Sequence, residues 1–118
     1  MIPTEHDEQV RVVEYCDWMK IPIFAIPNGS NKSVQQRMKF KREGLRSGCP
    51  DLFIPVSKGG MHGLFVEMKR VKGSVTSQEQ IAWHKLLIDQ GYCVVIAKGA
   101  DVAIEYISSY IKTETINV

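Results

Sequence analysis

Residues 51–69 read DLFIPVSKGGMHGLFVEMK, two apolar runs joined by a polar link. Asp51 to Val56 and Gly63 to Lys69 are β-branched and aromatic, and Ser57-Lys58-Gly59-Gly60-Met61-His62 between them carries the glycines a hairpin connection favours. Side chains alternate along a strand, so Glu67 and Lys69 project on one side, about 7 Å apart, while Leu64, Val66 and Met68 point to the other. A turn near Gly59 and Gly60 brings Asp51 across from a residue between Glu67 and Lys69, because cross-strand partners are equidistant from the turn. Two carboxylates and an ammonium then meet at one end of a sheet. Carboxylates that close repel unless a cation lies between them, and a hard divalent ion with oxygen ligands suits the place, Mg²⁺ first. The same spacing also fits a solvated pair of Glu67 and Lys69 with an ordinary turn aspartate after Pro50. The neighbours weigh against that, since Leu52, Phe53, Ile54, Leu64, Phe65 and Val66 are apolar on both faces and describe a central hairpin where lone charges are costly.

Outward from the hairpin, helical and extended patterns alternate. Val12, Tyr15 or Cys16, and Met19 recur at three- and four-residue steps, which predicts an amphipathic helix from Glu5 to about Met19, closed by Pro22. Ile21 to Ile26 reads as a buried strand running into the turn Pro27-Asn28-Gly29-Ser30. Val34 to Glu43 can form a helix with Gly44 past its end. Thr76 and Ser77 precede Glu79 and Gln80 by three residues, two overlapping capping boxes, and Ile81, His84, Leu87 and Ile88 carry the helix to about Gln90. Tyr92 to Ala97 reads as a strand buried on both faces, and Asp101 as the cap of a last helix bearing Val102, Tyr106, Ile107, Tyr110 and Ile111. The pattern predicts a mixed sheet flanked by helices.

The 118 residues fit one domain, and 15 basic against 13 acidic residues give only +2, so any attraction for a polyanion must be local. Such a concentration exists: between Asn28 and Pro50 stand Lys32, Arg37, Lys39, Lys41, Arg42 and Arg46 against the single acid Glu43, and Arg70 and Lys72 follow the hairpin. Flanking the carboxylates on both sides, these cations suit phosphate contact. The loop Gly44-Leu45-Arg46-Ser47-Gly48-Cys49-Pro50 suits close passage of a phosphate backbone. No aromatic residues interleave with the basic run in the manner of base stacking, so recognition by shape and backbone is expected. Cys16, Cys49 and Cys93 lack metal or redox spacing and are expected as reduced thiols of a cytoplasmic protein. The start MIPTEHDEQV lacks the apolar run of a signal peptide, and no stretch reaches the length of a membrane span. His6, His62 and His84 show no ligand spacing and read as surface or helix-face residues, and the glycines at 59, 60 and 63 form no phosphate loop, so no nucleotide cofactor is expected.

Gly48-Cys49-Pro50-Asp51 followed by Glu67-Met68-Lys69 resembles the PD-(D/E)-x-K nuclease motif, in particular its virus-type replication and repair branch, VRR-NUC. Glu5 to Gln9, Ile26-Pro27-Asn28-Gly29, Ser77 to Gln80, Gly91-Tyr92 and the closing helix follow in the order of that branch, so the resemblance runs over nearly all of residues 1–118 as one nuclease domain. Members occur as stand-alone phage proteins and as the catalytic domain of the Fanconi-associated nuclease. The resemblance implies an α/β, restriction-endonuclease-like core, a mixed central sheet in the order αβββαβ plus a C-terminal helix. It implies phosphodiester hydrolysis, with Asp51 and Glu67 ligating Mg²⁺, or Mn²⁺ in its place, together with the Met68 carbonyl. A first-helix glutamate, Glu8 with Glu5 as its rival, would reach the ion directly or through water. Lys69 would hold and help deprotonate the attacking water. Asn28 and Gln80 would support the site, although Gln80 equally fits a helix cap. By likeness to the stand-alone members, the expected substrate is a four-way (Holliday) DNA junction cut by a homodimer. Cutting of flaps or duplex ends, or an idle DNA-binding module of a replication complex, are the alternatives.

Overall fold

The computed structural model describes residues 3–27 and 33–114. Its elements follow as α1 (Glu5–Trp18), β1 (Phe24–Ala25), α2 (Val34–Arg42), β2 (Leu52–Ile54), β3 (Leu64–Lys69), α3 (Gln78–Asp89), β4 (Cys93–Lys98) and α4 (Ala100–Lys112). The strands lie side by side in the order β1-β2-β3-β4. β1 with β2 and β2 with β3 pair antiparallel, whereas β3 and β4 are parallel and need the crossover that α3 supplies. This is the mixed α/β sheet flanked by helices that the pattern predicts, with β2 and β3 at its centre.

The hairpin turns on Gly59 and Gly60, at φ +58° and +82°, the left-handed pair that a two-residue connection requires, and Lys58 and Met61 exchange backbone hydrogen bonds across it. Four steps separate Ile54 from Lys58 but only three separate Met61 from Leu64. The first arm therefore carries one extra residue, and Leu52 pairs with Val66, which sets Asp51 across from Glu67. The alternation follows the strand period. Leu52, Ile54, Leu64, Val66 and Met68 are fully buried on one face against Val12 and Cys16 of α1 and Ala103 and Ile107 of α4. The other face carries Glu67 and Lys69 and is met by α3.

Three expectations change. The strand around Ile21 to Ile26 shortens to Phe24–Ala25, exposed at the sheet edge, because Pro22 and Pro27 offer no N–H to extend a ladder. β4 pairs with β3 alone and is half-buried rather than covered on both faces, since it forms the opposite edge. Asp101 does not cap α4. Gly99 is the cap residue, Asp101 is exposed and pairs with Arg11 at 2.7 Å, and the capping oxygen comes from Glu8 of α1. The helices α1, α2 and α3 each begin with a capping box, at Thr4, Ser33 and Ser77. No described helix is long and apolar enough to cross a membrane.

Candidate active site

Asp51 stands just before β2, behind the fully buried Pro50, and its backbone is fixed on both sides. Its N–H donates to Val66 O at 3.1 Å, and its carbonyl accepts from Ile26 N–H at 2.8 Å. The carboxylate accepts the Met68 N–H at 2.6 Å, so the side chain is held against β3 next to Glu67. Asp51 is 6% exposed and Glu67 2%. Burial, then a hydrogen bond with Asp51 and the charge of Asp51, push the Glu67 pKa up to about 9, against the pull of Lys69. Two acids side by side in an apolar sheet cannot both ionise without a counter-charge, so the pair retains a proton.

Lys69, 7% exposed, lies two positions along the same face. Its Nζ donates to Gln80 Oε1 at 2.7 Å and to Val75 O at 3.1 Å. Gln80 Oε1 also accepts the Ser77 N–H, so the cap and the supporting role expected of Gln80 are one arrangement. One turn further along α3, His84 Nε2 lies 3.2 Å from Glu67 Oε1 and the ring is buried. Burial and then the Lys69 charge lower the His84 pKa, which favours a neutral ring hydrogen-bonded to Glu67. The match is geometric. Four residues of helix rise about 6 Å and two residues of strand about 6.6 Å, so Gln80 and His84 register with Lys69 and Glu67. Of the two placements expected for the histidines, surface or helix face, His84 takes the helix face, and that face is an inner one. Its signal in the sequence is its position four residues after Gln80, on the helix face turned to the strand.

The first-helix acids divide differently from expectation. Glu8 is buried, but its carboxylate accepts the Ala100 N–H and lies 3.6 Å from Arg11, closing the start of α4. Glu5 is exposed at the start of α1, and burial and then the Asp51 charge raise its pKa, while Lys69 and Arg70 lower it. The helix turns about 300° over three residues, so the packing of α1 decides which glutamate meets β3.

Arg37, Lys39, Lys41 and Arg42 are exposed on α2, and Arg70 and Lys72 are exposed after β3. Arg46 is exposed too, though its guanidinium donates to the Lys41 and Leu45 carbonyls. Asn28 and Lys32 lie outside the described residues. At φ +90° Gly48 packs on the start of α3, where an added Cβ would stand 2.6 Å from Glu79 C and 2.8 Å from Gln80 N, so it seats the loop that leads to Asp51 against the helix that holds Lys69. Cys16, Cys49 and Cys93 are free.

Among the described residues no three His, Cys, Asp or Glu side chains gather as a ready-made metal cage. The donor set at Asp51 and Glu67 is nonetheless all oxygen, buried and short of positive charge, which fits a hard divalent ion and not a soft one. The VRR-NUC domain matches residues 2–101 of the chain. The chain belongs to the VRR-NUC family. VRR-NUC proteins are nucleases of the PD-(D/E)xK type. A solved structure described as a VRR_NUC domain protein superposes with a TM-score of 0.84 at 32% identity, covering 98% of this chain and 93% of that one. No curated protein matches the sequence significantly.

Proposed function

We propose that this VRR-NUC chain is a Mg²⁺-dependent endonuclease that hydrolyses phosphodiester bonds in branched DNA, with the four-way junction as its first substrate. The observation that carries the reading is the burial of Asp51 and Glu67 side by side, with Lys69 held on the same face two residues along. A divalent cation held by Asp51 and Glu67 would supply the positive charge that the proton on the pair otherwise supplies. Asp51, Glu67 and the Met68 carbonyl would hold the ion, with Glu5 as the acid from the first helix, and Mn²⁺ would substitute for Mg²⁺. Such an ion lowers the pKa of a nearby water and offsets charge growing on the phosphate.

The chain's own residues do the positioning. The Met68 N–H fixes one Asp51 oxygen, and His84 fixes one Glu67 oxygen. Gln80 and Val75 take two of the three Lys69 ammonium protons, which leaves one for the attacking water or a phosphate oxygen. The exposed cations of α2, with Arg46, Arg70 and Lys72, would neutralise the flanking phosphates. Paired incisions at a junction need two sites, so we propose a two-fold homodimer working in the cytoplasm. Of the apolar stripe of α4, Tyr106 alone among the described residues is exposed, at 44%. Ile107 and Tyr110 are buried within the chain, and Val102 and Ile111 pack on the core.

The test is cleavage of labelled four-way junction, flap and linear duplex, each with Mg²⁺ or with a chelator. Asp51→Asn should abolish cutting and keep DNA binding, and Lys69→Ala should lose turnover but keep metal affinity. Near-normal cutting by Asp51→Asn would overturn the site. A monomer by light scattering that cuts only flaps or ends would overturn the junction reading.

A further inference from the structure

Phe24, Phe53 and Phe65 come from three separate segments, yet the pairing sets them directly opposite one another on β1, β2 and β3. Ring centroids are 5.5 Å apart for Phe24 and Phe53 and 4.3 Å for Phe53 and Phe65. Tyr92 meets Phe53 and Phe65 edge-on at 5.9 and 5.2 Å, and His62 lies behind Tyr92 at 5.6 Å. Room has been made for the rings. A Cβ on Gly63 would stand 2.7 Å from the Phe53 ring, and one on Gly91 would stand 2.7 Å from the His62 ring.

Position two along each strand decides what lies beside this row. Asp51 is two residues from Phe53 and Glu67 two residues from Phe65, so the aromatic row and the carboxylate row are adjacent on one face, about 7 Å apart. Phe24 stands one strand out from Asp51 and two from Glu67, roughly 8 and 12 Å on the diagonal, a span of one to two nucleotides of an extended strand. The opposite face shows what a structural row looks like here, with Leu52, Ile54, Leu64, Val66 and Met68 all fully buried. The aromatic row instead runs outward to Phe24, which is 52% exposed at the sheet edge.

We propose that Phe24, backed by Phe53, stacks an unpaired nucleobase next to the phosphate held at Asp51 and Glu67. The occupant follows from the surroundings: a flat π-face beside a site that takes a phosphodiester, on a chain whose exposed cations lie in the segments leading into Asp51 and out of Lys69. In continuous duplex both faces of each base are covered by its neighbours, so only a strand that is open at a branch, flap or gap can use the ring. The row thereby supplies a physical source of preference for interrupted DNA. It rests on the nuclease reading above and goes beyond it in assigning the base contact.

The experiment is an anisotropy titration in chelator with a labelled single-stranded oligonucleotide, a flap and a continuous linear duplex, comparing the wild-type chain with Phe24→Ala, Phe24→Leu and Phe24→Trp. Stacking of one base predicts about tenfold weaker binding of single strand and flap by Phe24→Ala and Phe24→Leu, a change of less than about twofold on linear duplex, and retention by Phe24→Trp. A 2-aminopurine placed beside the branch should be quenched by the wild-type chain and not by Phe24→Ala. Thermal melting verifies that the variants fold. Equal losses on all three DNAs, no loss on any, or conversion of a dimer to a monomer by Phe24→Ala would overturn the proposal while leaving the nuclease reading intact. A wild-type chain that binds none of the DNAs would overturn both.

Discussion

Glu67→Gln should make the metal-free protein more stable while abolishing its cleavage. The Glu67 carboxyl is 2% exposed and its pKa rises on folding from the ordinary 4.5 to about 9. The sign follows from linkage. The folded chain keeps a proton that the unfolded chain has already lost, so the stability present below pH 4.5 is lost progressively as pH rises through this window. Each pH unit inside the window costs at most about 1.4 kcal/mol, so the cost is several-fold larger at pH 7.5 than at pH 5. The amide introduced by Glu67→Gln carries no such cost. Its NH₂ can donate to Asp51 as the acid proton did, and its carbonyl can accept from His84. At about 4 °C per kcal/mol, the melting temperature in chelator should rise by several degrees at pH 7.5 and by much less at pH 5. Melting curves across that range, run beside a cleavage assay, read both effects. A variant less stable than the parent at pH 7.5, or a gain that does not grow with pH, would refute the account of the buried acid pair.

Gln80→Leu removes the shared acceptor of Lys69 and Ser77. It should cost about 1 kcal/mol of stability and lower turnover without changing DNA affinity, readable by denaturation and single-turnover kinetics. His84→Leu should likewise reduce turnover at constant DNA affinity, and His84→Gln, which keeps a donor for Glu67, should recover part of it. Glu8→Ala leaves the start of α4 without its capping oxygen and should cost about 1–2 kcal/mol, with activity per folded molecule retained. Glu5→Gln should show the reverse, near-unchanged melting and reduced turnover. Neutralising Lys39, Lys41 and Arg42 together should weaken binding to every DNA shape and shallow the salt dependence by about 0.9 for each phosphate that no longer meets a cation. An unchanged slope would return α2 to a merely solvated face.

What can be read from the chain alone is whatever a local repeat determines. The strand period of two puts Glu67 and Lys69 on one face and Leu64, Val66 and Met68 on the other, and the three-residue step from Ser77 to Gln80 marks the start of α3. Gly59 and Gly60 mark the turn for the same reason, since a two-residue connection demands left-handed backbone. The motif of Asp51, Glu67 and Lys69 needs only that hairpin, and it is visible in the chain. The rest depends on pairings between distant segments, which carry no period. The extra residue before the turn decides that Asp51 faces Glu67. The packing of α1 decides that Glu8 caps α4. The placement of α3 across β3 turns His84 from an ordinary helix residue into a partner of Glu67. Phe24, Phe53, Phe65 and Tyr92 lie as many as 68 positions apart in the chain, and only the strand order makes them one surface. Local rules act through backbone geometry within one element, whereas these pairings are chosen by the burial of the whole core.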